Sequence, residues 1–201
     1  MADPADVMFS PAVRAEQERL GSRVLFEDRA WKTEITDDLR QFLSVVDTFF
    51  LATADAEGRP YVQHRGGPPG FLKTIGERTL AFADFAGNRQ YVTLGHLREN
   101  DRAHLFILHV ATRQRVKLWG RARVVEDDLE LMERLVDPAY KAKPQRAIVF
   151  SIEAWDVNCQ QHITARFSEA EIAPAVDRLA ARIRELEEEV ARLKEERDRQ
   201  P

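Results

Sequence analysis

Short runs of alternating hydrophobic and polar residues fill the middle of this chain, and they predict a train of strands. Thr48-Phe49-Phe50-Leu51-Ala52-Thr53 is rich in β-formers, and Asp55-Ala56-Glu57-Gly58 is a turn with glycine in its last place. Arg59 to His64 reads as the return strand. Phe71 to Ile75, a Gly76-Glu77 turn and Thr79 to Asp84 make a second hairpin. Ala103 to Val110 and Arg115 to Val125 are strands around a polar turn, and in Ala147 to Trp155 the residues Ile148, Phe150 and Ile152 alternate with Val149, Ser151 and Glu153. Helical spacing interrupts this pattern three times. Leu39, Phe42, Leu43 and Val46 follow a Thr36-Asp37-Asp38 start; Tyr91, Leu94 and Leu97 lie within a predicted helix from Asn88 to Asn100; a third helix runs from Asp128 to Val136 and stops before Pro138. The connections are short and lack βαβ alternation. The expected fold is therefore mainly β with flanking helices (α+β), a six-stranded antiparallel barrel closed to remove its sheet edges.

The two ends of the chain read differently. Residues 1–35 form a charged lead-in, extended or partly helical, and residues 36–167 form the barrel domain. In residues 168–201, Leu179, Ile183, Leu186, Val190 and Leu193 are spaced 4, 3, 4, 3, which is a heptad seam. Two readings fit it: a coiled-coil arm for a dimer or partner, or an amphipathic helix packed on its own domain. With ten acids and seven bases this tail carries −3 of the net −4, leaving the barrel nearly neutral.

Composition narrows the class. At 44% hydrophobic and 32% charged over 201 residues, the chain suits one globular domain with an accessory segment. The acidic balance argues against a nucleic-acid partner. No run approaches the roughly 18 apolar residues of a membrane helix. Asp3 and Asp6, with no apolar core around them, argue against a secretory signal. A single cysteine, Cys159, excludes an intrachain disulfide and suits a reducing compartment, so a cytoplasmic location is expected.

Candidate chemistry gathers in two turns. His64-Arg65-Gly66-Gly67-Pro68-Pro69-Gly70 combines close backbone approach, rigidity and a guanidinium fork suited to phosphate. Phe82 to Gln90 ends a strand at Asp84, turns at Gly87 and offers Asn88 and Arg89 at a predicted helix start, where N–H groups bind anions. Each turn alone also reads as an ordinary hairpin connection or cap; together they can converge on one phosphate. Arg113, Arg115 and Lys117 form a basic stripe by strand alternation, either a phosphate contact or a solvated face. Trp155 can stack on a planar ring or sit in the core, and His162 can move a proton or be structural. Cys159 has only His162 as an activating neighbour. Zinc spacings, P-loops, Rossmann fingerprints and G-x-S-x-G elbows are absent, and no metal site is expected.

In content and order these runs resemble the pyridoxamine 5'-phosphate oxidase family of FMN-binding split barrels, from about Phe49 to Phe167. Phe49 to Thr53 with Glu57-Gly58-Arg59-Pro60-Tyr61 is similar to the family's opening hairpin. Phe82 to Gln90 resembles its phosphate turn, where Asn88-Arg89-Gln90 stands for a Ser-Arg-Lys triplet. Arg115-Val116-Lys117-Leu118-Trp119-Gly120 resembles the strand that brings a flavin contact, and Ile152-Glu153-Ala154-Trp155 with Arg166-Phe167 resembles the closing motif. The resemblance implies a homodimer with FMN at the subunit interface and a small-molecule substrate. It implies cofactor contacts at Gln63, Arg65, Gly66, Ala83, Asp84, Asn88, Arg89, Gln90, Arg115, Lys117, Trp155 and Arg166, with His162 as the candidate substrate contact or proton donor. The family's first phosphate arginine aligns near Gln63 rather than Arg65, and the glycine-proline run replaces an apolar stretch. The implied activity is an FMN-dependent oxidoreductase acting on an unidentified small molecule. The alternatives are a non-catalytic flavin sensor or carrier dimer, or a haem- or deazaflavin-handling split barrel.

Overall fold

A computed structural model of the chain describes residues 3–158 and 161–199. Seven strands form one antiparallel sheet: β1 (Thr48–Ala54), β2 (Pro60–Gly66), β3 (Lys73–Gly76), β4 (Thr79–Phe85), β5 (Arg102–His109), β6 (Gln114–Val125) and β7 (Pro144–Asn158), in the order β2-β1-β5-β6-β7-β4-β3. Strand alternation sorts the side chains into two faces. Phe49, Leu51, Leu105, Ile107, Val116, Leu118, Ile148, Phe150, Leu80 and Phe82 share the inner core. The helix α3 (Asp37–Val45) adds Leu39, Phe42 and Leu43 to it, and Thr36 caps α3 by accepting from Leu39 N–H at 3.3 Å. On the opposite face, Ala81, Ala83, Ala147 and Val149 pack under Leu131 and Leu135 of α5 (Leu129–Leu135).

The expectation of a closed six-stranded barrel needs correction. There are seven strands, and no ladder joins the end strands β2 and β3 among the described residues. The run between them explains why. Pro68 and Pro69 lack N–H donors, so this stretch cannot extend a ladder. Instead, Gly67 N–H donates to Asp47 O at 3.0 Å and Gly70 N–H to Val46 O at 2.8 Å, pinning the crossing to the start of β1. Gly70 has φ +74, a conformation that favours glycine. Side chains perform the closure. Phe49 of β1 lies 5.1 Å from Phe82 of β4 and 5.4 Å from Phe71, and Arg65 of β2 bonds Asp84 of β4. The sheet therefore curls until β2 meets β4, with four strands between them in its order.

β7 is longer than its sequence signal because it serves two neighbours. It pairs with β4 through Pro144 to Ser151 and with β6 through Ala147 to Asn158. A bulge at Trp119/Gly120 adjusts the second pairing, and a Cβ at Gly120 would lie 2.0 Å from Ser151 O. Only glycine fits that approach.

The lead-in contains α1 (Pro4–Met8) and α2 (Pro11–Arg19), and its later part is tied to β7. Trp155 donates its backbone N–H to Lys32 O at 2.9 Å and its indole N–H to Glu34 O at 2.8 Å. A second compact unit, made of residues 110–112 and 162–201, contains α6 (Glu169–Asp198). Among the described residues no helix is long and apolar enough to cross a membrane.

Candidate anion site at the mouth of the sheet

β2 places Tyr61, Gln63 and Arg65 on the inner face, directly opposite Thr53, Leu51 and Phe49 of β1. Beyond Phe49 the core ends, and polar side chains take over. Asp84, two residues after the buried Phe82, faces Arg146 of β7 in register. Arg65 Nη1 donates to Asp84 Oδ1, while Arg146 Nε lies 3.7 Å from Asp84 Oδ2 and its Nη1 3.4 Å from Glu126. The Arg65, Asp84 and Arg146 side chains are only 16%, 10% and 14% exposed, so these are desolvated charges. The Nε atoms of Arg65 and Arg146 are both buried without a hydrogen-bond partner among the described residues.

Next to this cluster the chain leaves β4 in an irregular turn. The predicted helix start at Asn88 is corrected: α4 is Val92–Glu99. Asn88 Oδ1 accepts from Gln90 N–H at 3.1 Å, and Arg89 and Tyr91 take left-handed conformations with φ 60 and 56. Such angles are uncommon away from glycine and concentrate at ligand-binding positions. Arg89 makes no hydrogen bond or ion pair among the described residues, whereas Arg146 lies over the Tyr91 ring at 5.7 Å.

Six of the residues singled out in the sequence line one cavity of about 130 Å³: Gln63, Arg65, Asp84, Asn88, Arg89 and Gln90. Tyr61, Tyr91 and Gln145 also contribute to its wall. Gly66 and Ala83 line a second cavity of about 160 Å³ that shares Gln63, Arg65 and Asp84. Sequence reasoning missed Arg146. Its signal was a charged residue in phase with Ile148, Phe150 and Ile152, on the side of β7 that should be apolar.

The remaining candidates lie elsewhere. Trp155 is a core residue, 2% exposed, with Lys32 Nζ 4.6 Å from its ring centroid; it borders a cavity of about 530 Å³ beside α3. Arg113 is in a turn with φ 56 rather than on a strand, so the expected three-residue stripe reduces to Arg115 and Lys117 on β6. Those two face away from the core, alternating with the buried Val116 and Leu118. Burial is the main cause holding the Lys117 ammonium below its usual range, with Asp156 opposing it and Arg115 and Arg29 adding to it. Nearby on β5, burial and then Lys117 push His104 down to about 4. His162 and Arg166 belong to the second compact unit, and Cys159 lies outside the described residues.

One antiparallel sheet with flanking helices curls around the core, and a cavity of about 130 Å³ bearing Arg65 and Arg89 opens at its mouth. The sequence model of pyridoxamine 5'-phosphate oxidase matches residues 35–161, and the chain belongs to that family. No curated protein matches it. Among solved structures it is similar to HupZ of group A Streptococcus, at 14% identity and TM-score 0.50, covering 66% of this chain and 99% of that one. It is also similar to a relative of general stress protein 26 from Clostridium acetobutylicum, at 15% identity, TM-score 0.47, and 67% and 94% coverage. HutZ, a haem storage protein from Vibrio cholerae, aligns at 17% identity, TM-score 0.42, and 61% and 94% coverage. At these identities the likeness concerns the fold alone.

Proposed function

We propose that the cavity at the sheet mouth holds the phosphate of FMN and that the protein is a flavin-dependent oxidoreductase acting on a small molecule. The observation that carries this reading is the convergence of Arg65, Arg89, Asn88 and Gln90, from two separated turns, on one cavity of about 130 Å³. That space suits a phosphate and excludes a three-ring flavin, so the ring would lie outside it, against a second copy of the chain. The donor set fits a dianion. Among the described residues Arg89 makes no hydrogen bond or ion pair and the buried Nε of Arg65 has no hydrogen-bond acceptor, and the surrounding amides can donate to phosphate oxygens. Guanidinium groups keep their charge at any physiological pH. Asp84 holds Arg65 and Arg146 in place, and the Asn88 side chain fixes the turn that presents Arg89.

When bound, FMN would supply two-electron redox chemistry, while the chain's own residues anchor, orient and desolvate it. Titration of the purified protein with FMN and with riboflavin, followed by flavin fluorescence, tests the reading. FMN is expected to bind about ten- to a hundred-fold more tightly than riboflavin, and Arg89→Ala to remove most of that difference, as befits one or two charge-assisted hydrogen bonds. Equal affinities for the two flavins, or an unchanged FMN affinity in the variant, would overturn the phosphate assignment. A bound flavin that no nicotinamide or vitamin donor reduces would make the protein a carrier or sensor. Parallel titrations with haem and a deazaflavin separate the other cofactor classes.

A further inference from the structure

We infer that α6 pairs with α6 of a second copy of this chain as a parallel, two-stranded coiled coil. The seam is longer than its sequence core suggests. Ile172, Val176, Leu179, Ile183, Leu186, Val190 and Leu193 repeat at 4, 3, 4, 3, 4, 3 within a single 30-residue helix, and all seven are between 43% and 65% exposed. The helix has a complete capping box at Ser168 and Glu171, so its start is fixed locally. A lone amphipathic helix has little stability in water without a partner for its apolar face.

Residue type along the seam selects the partner's number and direction. Val176, Ile183 and Val190 occupy the a positions and are all β-branched; d holds Ile172 at the N-terminal end and then Leu179, Leu186 and Leu193. That division favours parallel dimers over higher assemblies. Flanking charge points the same way. In a parallel pair the g residue of one helix meets the e residue of the next heptad on the other. Here Arg182 meets Glu187 and Glu189 meets Lys194, so both charged contacts are attractive and each occurs twice in the dimer. In an antiparallel pair g meets g and e meets e; with the whole seam overlapped, Arg182 falls against Glu189 but Glu187 against Ala180, so one kind of attractive contact is left. Along the single helix, Arg182 reaches Glu185 at 2.8 Å and Glu189 lies 4.0 Å from Arg192, but Glu187 and Lys194 have no ion pair among the described residues. The parallel partner supplies one to each.

Disulfide trapping in the full-length chain tests both the partner and its direction, with Cys159→Ser as background. Parallel pairing sets the two copies of position 193 against each other, so Leu193→Cys is expected to form a linked dimer about tenfold faster than Glu188→Cys on the outer face. Adding Arg182→Glu should slow that linkage, and adding Glu187→Arg to it should restore the rate. Linkage no faster at 193 than at 188 would overturn the pairing. Failure of the double charge exchange to restore the rate would overturn the parallel direction. The readout is local to α6, so a dimer made by the sheet does not mimic it, and its failure is independent of the flavin titration.

Discussion

The sheet carries two arginine-carboxylate clusters, one at the inner mouth and one on the outer face, and they solve the same electrostatic problem differently. At the mouth, Arg65 and Arg146 flank Asp84 with side chains 10–16% exposed. On the outer face, Arg121 bonds Asp101 at 2.7 Å and Glu153 at 2.8 Å with side chains 33–50% exposed. Water supports the second group and barely reaches the first. The titratable neighbours differ in the same sense. Near the outer cluster, His104 and Lys117 are both pushed toward their uncharged forms by burial. The mouth has buried guanidiniums, which cannot shed charge, and holds them with carboxylates. Permanent positive charge is thus held largely out of water at the mouth and half in water on the outer face.

Removing carboxylates should separate the two clusters most sharply. Asp84→Ala leaves two buried guanidiniums without their shared anion and is expected to destabilise the fold by about 3–5 kcal/mol, read from denaturant unfolding. Loss of under ~1 kcal/mol would mean that water or Glu126 already neutralises the mouth.

The pH response is next in size. His104 titrates near 6.5 when unfolded and at about 4 when folded, so the unfolded chain binds more protons between those values. Its contribution is fully present above pH 6.5 and is lost as pH falls toward 4, with a slope of up to ~1.4 kcal/mol per pH unit. His104→Gln should flatten that part of the stability profile. A variant profile parallel to the parent's would remove His104 from the account.

The smallest effect belongs to the outer cluster. Arg121→Ala should change stability by about 0–1 kcal/mol, and that change should shrink in high salt. A salt-insensitive loss of several kcal/mol would erase the contrast between the faces.

The amino-acid sequence by itself determined the strand and helix order, because alternation and heptad spacing are local properties that need no partner. It also marked Arg65, Asn88, Arg89 and Gln90 as a set, since glycine turns and guanidiniums are visible in isolation. Arg146 escaped because its meaning depends on Asp84, 62 positions earlier, facing it across β4 and β7. The helix expected at Asn88 failed for a related reason: left-handed Arg89 and Tyr91 delay it to Val92, and no propensity at those residues announces such angles. Trp155 read as a ring stacker or, more commonly for a tryptophan at a strand end, a core residue, and the lead-in's Glu34 carbonyl accepts its indole N–H in the core. Only the tertiary structure decided how the sheet closes. Two prolines deny it a ladder between β2 and β3, so Phe49, Phe82 and the Arg65–Asp84 pair close it with side chains and leave a charged cavity where the barrel seam would have been.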